Sequence, residues 1–305
     1  MLSTTTDAPA KADSAAVTGL IRLARPKQWL KNALVVAAPL AAGVLLQPSV
    51  LAWVAVAFVC FCLAASSVYM INDVLDVNED RSHPKKRNRP VASGQVSPTA
   101  ATLTALICGV AALAIPIGLG NINLAVVITS YLVLQALYVW KLKHEAVFDI
   151  ACIAAGFLLR AIAGGVAASV LISNTFLVVV GFGALFMAVG KRCSEVRSRK
   201  RRDWSTRKAL DQYTPGYLRI LLSVSATISL VGYILWAFEM DALNTNDIPF
   251  AALSVIPFTL ALMRYAKDAD SAETEAPEDA LFADKGLLIL GLLWLALFTG
   301  QVLQR

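Results

Sequence analysis

Residues 51–80 read LAWVAVAFVCFCLAASSVYMINDVLDVNED, an apolar run that ends in a group of carboxylates. The last part has the spacing N-D-x-x-D-x-x-x-D, formed by Asn72, Asp73, Asp76 and Asp80. On a helix with about 100° per residue, the three aspartates fall within an arc of roughly 60°. Like charges on one face repel, and Mg²⁺ prefers one or two carboxylates together with substrate phosphates. The pattern therefore predicts a magnesium site at the mouth of a membrane helix; the alternative is a solvated helix end.

The rest of the chain has the composition of a polytopic membrane protein. Of 305 residues, 57% are apolar and 16% are charged, and the mean hydropathy is +0.64. A helix needs about 20 apolar residues to cross about 30 Å of hydrocarbon. We therefore predict an all-α bundle of nine transmembrane helices, near 20–46, 50–72, 99–119, 121–140, 147–168, 172–190, 216–238, 247–265 and 284–303. Residues 1–17 are predicted to be a disordered tail, and residues 18–305 a single transmembrane domain.

Basic residues lie on one side of this predicted topology. If the N-terminus is cytoplasmic, the external connections 47–49, 120, 169–171 and 239–246 contain no Lys or Arg. The internal connections are rich in both, which is the positive-inside pattern of a cell-membrane protein. The Asp run then faces the cytoplasm. The net charge of +6 reflects this asymmetry, and no aromatic-interleaved basic domain indicates nucleic acid.

Several other functional classes are not indicated by the sequence. The five cysteines and two histidines show no pair with zinc-site spacing. No Walker-type glycine-rich loop is present, so nucleotide hydrolysis is not predicted. Small residues within the spans permit tight helix association, including a homo-oligomer, but the sequence does not give the oligomeric state.

Basic residues follow the Asp run directly. The loop 81–94 reads RSHPKKRNRPVASG and contains Arg81, Lys85, Arg87 and Arg89. Surface ion pairs alone would stabilise little, whereas a metal-bound polyphosphate uses both charge types, with Lys and Arg holding phosphate oxygens. Attraction to anionic lipid headgroups is the alternative explanation for these cations. Their position beside the aspartates favours a phosphate site.

Further candidates share positions at the predicted cytoplasmic ends of spans: Lys27 and Lys31 in the first, Tyr138, Lys141 and Lys143 at the fourth, Lys191, Arg192 and Glu195 at the sixth, and Tyr213 before the seventh. Asp149 lies just inside the fifth span and needs a cationic partner. Arg160 lies deep in that span, where an arginine costs several kcal/mol unless it faces a water-filled cavity or an anion. Gly164 and Gly165 predict close helix packing or a bend.

These motifs together resemble those of the UbiA-type intramembrane prenyltransferases. That family binds a prenyl diphosphate through Mg²⁺ at two aspartate motifs, the second after the sixth span. Here Lys191-Arg192-x-x-Glu195 stands in place of the second motif. The detailed segments resemble the decaprenyl-phosphate phosphoribosyltransferase branch of the family. The matching stretches are 25–32, 72–94, 142–147, 159–167, 190–192, 223–238 and 277–279.

This branch transfers 5-phosphoribosyl from phosphoribosyl pyrophosphate to the phosphate of decaprenyl phosphate in cell-wall arabinan synthesis. The resemblance implies that Asn72, Asp73, Asp76 and Asp80 hold Mg²⁺ and that Asp73, Asp76, Asp80, Arg160 and Lys191 act in catalysis. It assigns substrate binding to the other candidates: Lys27, Lys31, Asn72, Arg81, Lys85, Arg87, Arg89, Tyr138, Lys141, Lys143, Arg192, Glu195 and Tyr213. In-line attack at C1 of the ribose would invert its configuration.

Two alternatives from other classes remain open on the sequence. The first is a prenyltransferase that acts on an aromatic or quinone-precursor acceptor. The second is an anion transporter or lipid-binding scaffold, which gains nothing from a carboxylate cluster confined to one side and would be expected to show related half-repeats. Metal dependence of a transfer reaction distinguishes an enzyme from the second alternative.

Overall fold

The computed structural model describes residues 17–199, 208–242, 248–271 and 284–303. All regular structure in these ranges is helical, as predicted. Among the described residues, eight helices are long and apolar enough to cross a membrane: α3 (Pro48–Leu75), α5 (Pro98–Gly118), α6 (Ile122–Trp140), α7 (Phe148–Ala167), α8 (Asn174–Arg199), α9 (Pro215–Ala242), α10 (Phe250–Ser271) and α11 (Lys285–Leu303). The predicted tail at 1–16 and the matching stretch 277–279 lie outside the described residues.

The first predicted span differs from the prediction, because it is not one continuous α-helix. A short helix, α1 (17–24), stops at Arg25, which has φ 53° and ψ 60°, and Pro26 then opens the 3₁₀ helix η1 (Pro26–Val36). The helix α2 (Ala37–Ala41) follows. At about 2 Å rise per residue, η1 covers roughly 22 Å, and α2 adds about 7 Å. The segment is therefore still about as long as the hydrocarbon core is thick.

Short turns join several helices as antiparallel neighbours. Gly120 has φ 81°, and the Asn121 side chain accepts a hydrogen bond from the Leu124 N–H at 3.0 Å, which caps α6. Ser173 accepts from the Phe176 N–H at 3.1 Å before α8. Asparagine and serine favour such turns because their side chains hydrogen-bond to nearby backbone groups. The chain therefore alternates in direction through the bundle.

The described residues contain four buried hydrophobic clusters, and α7 contributes to the two largest of them. One cluster lies among η1, α3, α5, α6 and α7, around Phe61 and Ile128. The other lies among α7, α8, α9 and α10, around Phe186 and Tyr265. Large apolar side chains on the outer faces remain exposed, as is usual for a surface that contacts lipid.

The predicted close packing at the glycine pair of α7 is confirmed. A Cβ atom on Gly164 would lie 1.7 Å from the Val35 carbonyl oxygen, so only glycine allows η1 to approach α7 this closely. A Cβ atom on Gly165 would meet the Ile172 side chain at 2.6 Å. We call the Gly164–Val35 contact the seam.

Polar side chains gather at one end of the bundle, which we call the polar rim. Helices α3 and α8 end there, and α7 and α9 begin there. The rim also contains the short helices α4 (Val77–Ser82), η2 (Lys86–Asn88), η3 (Leu142–His144) and η4 (Lys208–Gln212). This end of the molecule carries the candidate site.

Candidate active site

Asp73 and Asp80 are buried at the polar rim and share one arginine. Asp73 is 2% exposed, and its Oδ1 accepts hydrogen bonds from Arg25 Nη2 at 2.6 Å and Arg89 Nη1 at 2.9 Å. The same Arg89 nitrogen donates to Asp80 Oδ2 at 2.7 Å. Arg25 also lies over the ring of Tyr69, 4.9 Å from its centroid. The guanidinium of Arg89 therefore offsets the repulsion between the two carboxylates.

Asp76 faces a different partner. Helix α3 ends at Leu75, Asp76 takes φ −88° and ψ 8°, and α4 begins at Val77. The three aspartates are therefore not on the single continuous helix that the spacing predicts. Asp76 Oδ1 accepts from Lys143 Nζ at 2.8 Å, and Oδ2 accepts from Asn72 Nδ2 at 3.0 Å. The break lets one carboxylate reach the α6–α7 connection.

We call these residues the first charge cluster: Arg25, Asn72, Asp73, Asp76, Asp80, Arg89 and Lys143. Within the described residues, no three His, Cys, Asp or Glu side chains form a group that could hold a metal ion alone. Mg²⁺, however, takes one or two carboxylates and completes its shell with substrate phosphates and water. Asp73 Oδ2 and Asp80 Oδ1 take no part in the contacts above. The donor set therefore fits a metal that arrives with a diphosphate.

A second charge cluster lies between α7 and α8. Arg192 is 0% exposed and donates from Nε to Asp149 Oδ2 at 2.7 Å. Its Nη1 donates to Glu195. Tyr213 donates its hydroxyl to Asp149 Oδ1 at 2.5 Å. The cation that Asp149 needs is thus Arg192, and the cluster consists of Asp149, Arg192, Glu195 and Tyr213.

Tyr213 also ties two connections of the polar rim together. Its hydroxyl accepts from the Val147 N–H at 2.6 Å, and Val147 is a β-branched residue held at φ 71°. Gln212 accepts from the Ala146 N–H and donates to the His144 carbonyl, each at 3.2 Å. A strained backbone of this kind persists only where its surroundings hold it. Burial, together with the hydrogen bond to Asp149, raises the pKa of Tyr213 above its ordinary value.

Arg160 is not brought together with either cluster. It lies eleven residues beyond Asp149 on α7, about 16 Å farther along the helix axis. Its guanidinium donates to Asn32 Oδ1 at 2.7 Å, the Gly156 carbonyl at 2.7 Å and the Tyr131 hydroxyl at 3.0 Å. These neutral acceptors and the surrounding rings satisfy the side chain. Its catalytic role stays a prediction, and its contacts tie η1 to α6 and α7.

The other predicted cations lie around the polar rim. Arg81, which donates to the Ala92 carbonyl at 3.2 Å, is exposed, as are Lys27, Lys85, Arg87 and Lys141. Lys31, Lys191 and Tyr138 are partly buried, and Tyr138 is close enough to Arg192 to interact with it electrostatically. The exposed cations form a positive surface that would attract a soluble polyanion.

Sequence reasoning missed Arg25 as a site residue. Its signal was available, because an arginine directly before Pro26 marks a break in an otherwise helical segment. Sequence reasoning also left Asp149 out of the site, although it noted the need for a cation. Both residues bind groups that are far away in the sequence.

Comparison with known proteins identifies the family. The profile of the UbiA prenyltransferase family matches residues 33–288. The chain belongs to the UbiA prenyltransferase family. The fold agrees, since a UbiA homolog from Archaeoglobus fulgidus bound to GPP and Mg²⁺ superposes with a TM-score of 0.69 at 16% identity, over 93% of this chain and 98% of that one. A digeranylgeranylglyceryl phosphate synthase superposes with a TM-score of 0.67 at 15% identity, over 95% of this chain and 99% of that one.

Other relatives have a considerably higher sequence identity to the chain than these solved structures have. The decaprenyl-phosphate phosphoribosyltransferase of Mycolicibacterium smegmatis is 47% identical over 289 residues, which are 92% of this chain and 91% of the relative. The protein of the same name from Mycobacterium tuberculosis H37Rv is 45% identical over 284 residues, or 92% and 93% of the two chains. The chain is thus an enzyme of the UbiA family and a multi-pass membrane protein.

Proposed function

We propose that the chain transfers 5-phosphoribosyl from phosphoribosyl pyrophosphate to decaprenyl phosphate, or another polyprenyl phosphate, and releases pyrophosphate. The observation that carries this proposal is the pair of cations, Lys191 and Arg192, on α8. Where the family resemblance leads one to expect a second aspartate motif, Lys191 and Arg192 lie in the last third of α8, and Arg192 is buried. The rim therefore offers the carboxylates of the first charge cluster for a metal, and the cations Lys191 and Arg192 on α8, which suits two phosphorylated substrates.

The reaction needs little acid–base chemistry from the protein. The acceptor phosphate is already an anionic nucleophile, and C1 of the ribose becomes oxocarbenium-like as pyrophosphate leaves. The protein must hold two anions close together in the correct orientation, which is worth several kcal/mol of the barrier. A bound Mg²⁺ would neutralise charge on the leaving pyrophosphate.

The first charge cluster is suited to hold the donor. Arg25, Arg89 and Lys143 each contact a carboxylate now, and each can donate to a diphosphate oxygen instead. Arg and Lys bind phosphate oxygens through short charge-assisted hydrogen bonds. Asp73 and Asp80 would then use their oxygens for the metal. The exposed cations of the rim attract the polyanion, and its cytoplasmic origin agrees with the positive-inside orientation.

A direct assay tests this function. Purified protein in detergent receives radiolabelled phosphoribosyl pyrophosphate, decaprenyl phosphate and Mg²⁺, and we expect label in the lipid fraction with an equal amount of pyrophosphate. The Asp73→Asn variant serves as the inactive control. If no labelled lipid forms while prenyl diphosphate is consumed with an aromatic acceptor, the protein is an ordinary prenyltransferase and the proposal is wrong.

A further inference from the structure

Arg192 is held from two sides and leaves one nitrogen without a protein acceptor. Its Nε donates to Asp149 and its Nη1 to Glu195. In the described residues, Nη2 is buried and has no hydrogen-bond partner. A guanidinium is planar, so two fixed nitrogens determine where the third one points. A buried charged donor without an acceptor costs free energy, and a phosphate oxygen is the acceptor whose geometry matches the guanidinium fork.

The two carboxylates on Arg192 differ in their freedom to leave it. Asp149 has 0% exposure, and its Oδ1 accepts from both the Ile150 N–H at 2.8 Å and the Tyr213 hydroxyl at 2.5 Å. Three groups thus fix this carboxylate at the first turn of α7. The Glu195 side chain is 23% exposed, so it can turn towards solvent or substrate. Asp149 is the permanent partner of Arg192, and Glu195 is the exchangeable one.

We propose that Asp149 is a positioning residue, which holds Arg192 so that Nη2, and Nη1 once Glu195 turns away, bind an oxygen pair of a substrate phosphate. This inference rests on the proposed function for the identity of the substrate, but its chemistry requires only a phosphorylated ligand. Tyr213 supports the arrangement, because it holds the Asp149 carboxylate and the Val147 backbone at once. Asp149 itself does not touch the substrate.

The proposal predicts different results for replacing Asp149 and Glu195, the two carboxylates that accept hydrogen bonds from Arg192. The probe is inorganic pyrophosphate without added Mg²⁺, so that binding does not depend on the metal site proposed in the first charge cluster. It is titrated calorimetrically into the full-length protein in detergent. We expect Asp149→Asn to raise the dissociation constant about tenfold, as expected for a misplaced charge-assisted hydrogen bond. Glu195→Gln removes the negative charge that competes with phosphate for Nη1, so this variant is expected to bind pyrophosphate at least as tightly as the unmodified protein.

A double-mutant cycle separates positioning from a merely structural role. If Asp149 acts through Arg192, adding Asp149→Asn to Arg192→Lys changes the dissociation constant less than twofold, because the fork is already lost. The matched control is Asp241→Asn. Asp241 accepts from the Ala251 and Ala252 N–H groups at 3.2 and 2.7 Å, about 40 Å along α9 from its start, and its replacement leaves pyrophosphate binding unchanged.

Three results would overturn the inference. The first is unchanged pyrophosphate binding by a folded Asp149→Asn protein. The second is a double variant in which the effects of Asp149→Asn and Arg192→Lys on the dissociation constant multiply in full. The third is weaker pyrophosphate binding by Glu195→Gln than by Asp149→Asn. Thermal melting of each variant shows whether it is folded. Failure here is distinct from failure of the proposed function, which is tested by label transfer to decaprenyl phosphate in the unmodified protein.

Discussion

The two charge clusters of the polar rim contain the same kinds of residue but are built differently. In the first, Arg25 and Arg89 contact the carboxylates while their own side chains remain 29% and 26% exposed. In the second, Arg192 and Asp149 are both fully enclosed. Exposed cations can exchange one anion for another at little cost, whereas a buried pair loses several kcal/mol when one partner is removed. The first cluster is therefore suited to capture and release a ligand, and the second to keep its geometry.

Removing two carboxylates of the first charge cluster, which we propose bind the metal, has the largest expected effect. We expect Asp73→Ala combined with Asp76→Ala to lower the rate of sugar transfer about 10³-fold, the scale for losing groups that stabilise developing charge. The measurement is initial-rate transfer of label to lipid at saturating substrates. Asp241→Ala, at the opposite end of the bundle, is the matched control. Undiminished transfer by a folded double variant would exclude the first cluster from catalysis.

Replacing Arg89 tests whether this arginine exchanges its carboxylate partners for the substrate in the first cluster. Arg89→Gln removes the common donor of Asp73 and Asp80, and we expect kcat/KM to fall about 10- to 100-fold, as for loss of a hydrogen bond to a charged group. Without diphosphate, the same variant is expected to bind Mn²⁺ more tightly in a titration followed by electron paramagnetic resonance, because a competing cation is gone. Weaker Mn²⁺ binding would show that Arg89 does not compete with the metal. Lys143→Gln, which frees Asp76 alone, should have the smaller effect on kcat/KM.

A larger residue at position 164 tests whether the close contact of η1 with α7, which positions Arg25, contributes to stability. A Cβ atom on Gly164 would overlap the Val35 carbonyl, and η1 carries Arg25 at its start. We expect Gly164→Ala to lower stability by about 1–3 kcal/mol, the usual cost of overpacking, measured by thermal or denaturant unfolding in detergent. Gly291→Ala is the control, because its added Cβ would meet no atom within 4 Å. Equal stability of the two variants would show that the Gly164–Val35 contact does not require glycine.

Alkaline pH gives the smallest expected effect and concerns the second cluster. The pKa of Tyr213 is raised in the folded protein, so above the ordinary value of about 10 the unfolded chain loses this proton first. Stability therefore falls as pH rises above 10, by less than about 1 kcal/mol at pH 10.5. Melting temperatures between pH 8.5 and 11 measure the decline, which we expect to be shallower in Tyr213→Phe. An identical decline in both proteins would show that Tyr213 does not contribute to it.

Much of the fold could be predicted because it depends on local patterns. Apolar length marks the eight long spans, Asn121 and Ser173 mark turns, and Gly164 marks close packing. The break at Arg25 was missed although Pro26 signals it, because the apolar residues around it fit a continuous helix equally well. The α-helical propensity of this segment did not outweigh the tertiary contacts that hold it against α7 as the 3₁₀ helix η1.

The candidate site could be predicted by residue type but not by partner. The spacing of the aspartates indicates a metal site, yet it does not reveal that Lys143 binds Asp76 from 67 positions away. The buried position of Asp149 required a cation, and only the packing of α7 against α8 identifies it as Arg192. Arg160 was singled out for its burial, and the neutral acceptors that satisfy it come from η1 and α6.

The seam also constrains the route of the lipid substrate. Where backbone oxygen meets a glycine with no intervening side chain, there is no space for a hydrocarbon chain to slip between the two segments. A polyprenyl tail must therefore approach the polar rim from another flank of the bundle. A crosslinker placed beside Val35 is therefore not expected to capture the lipid tail.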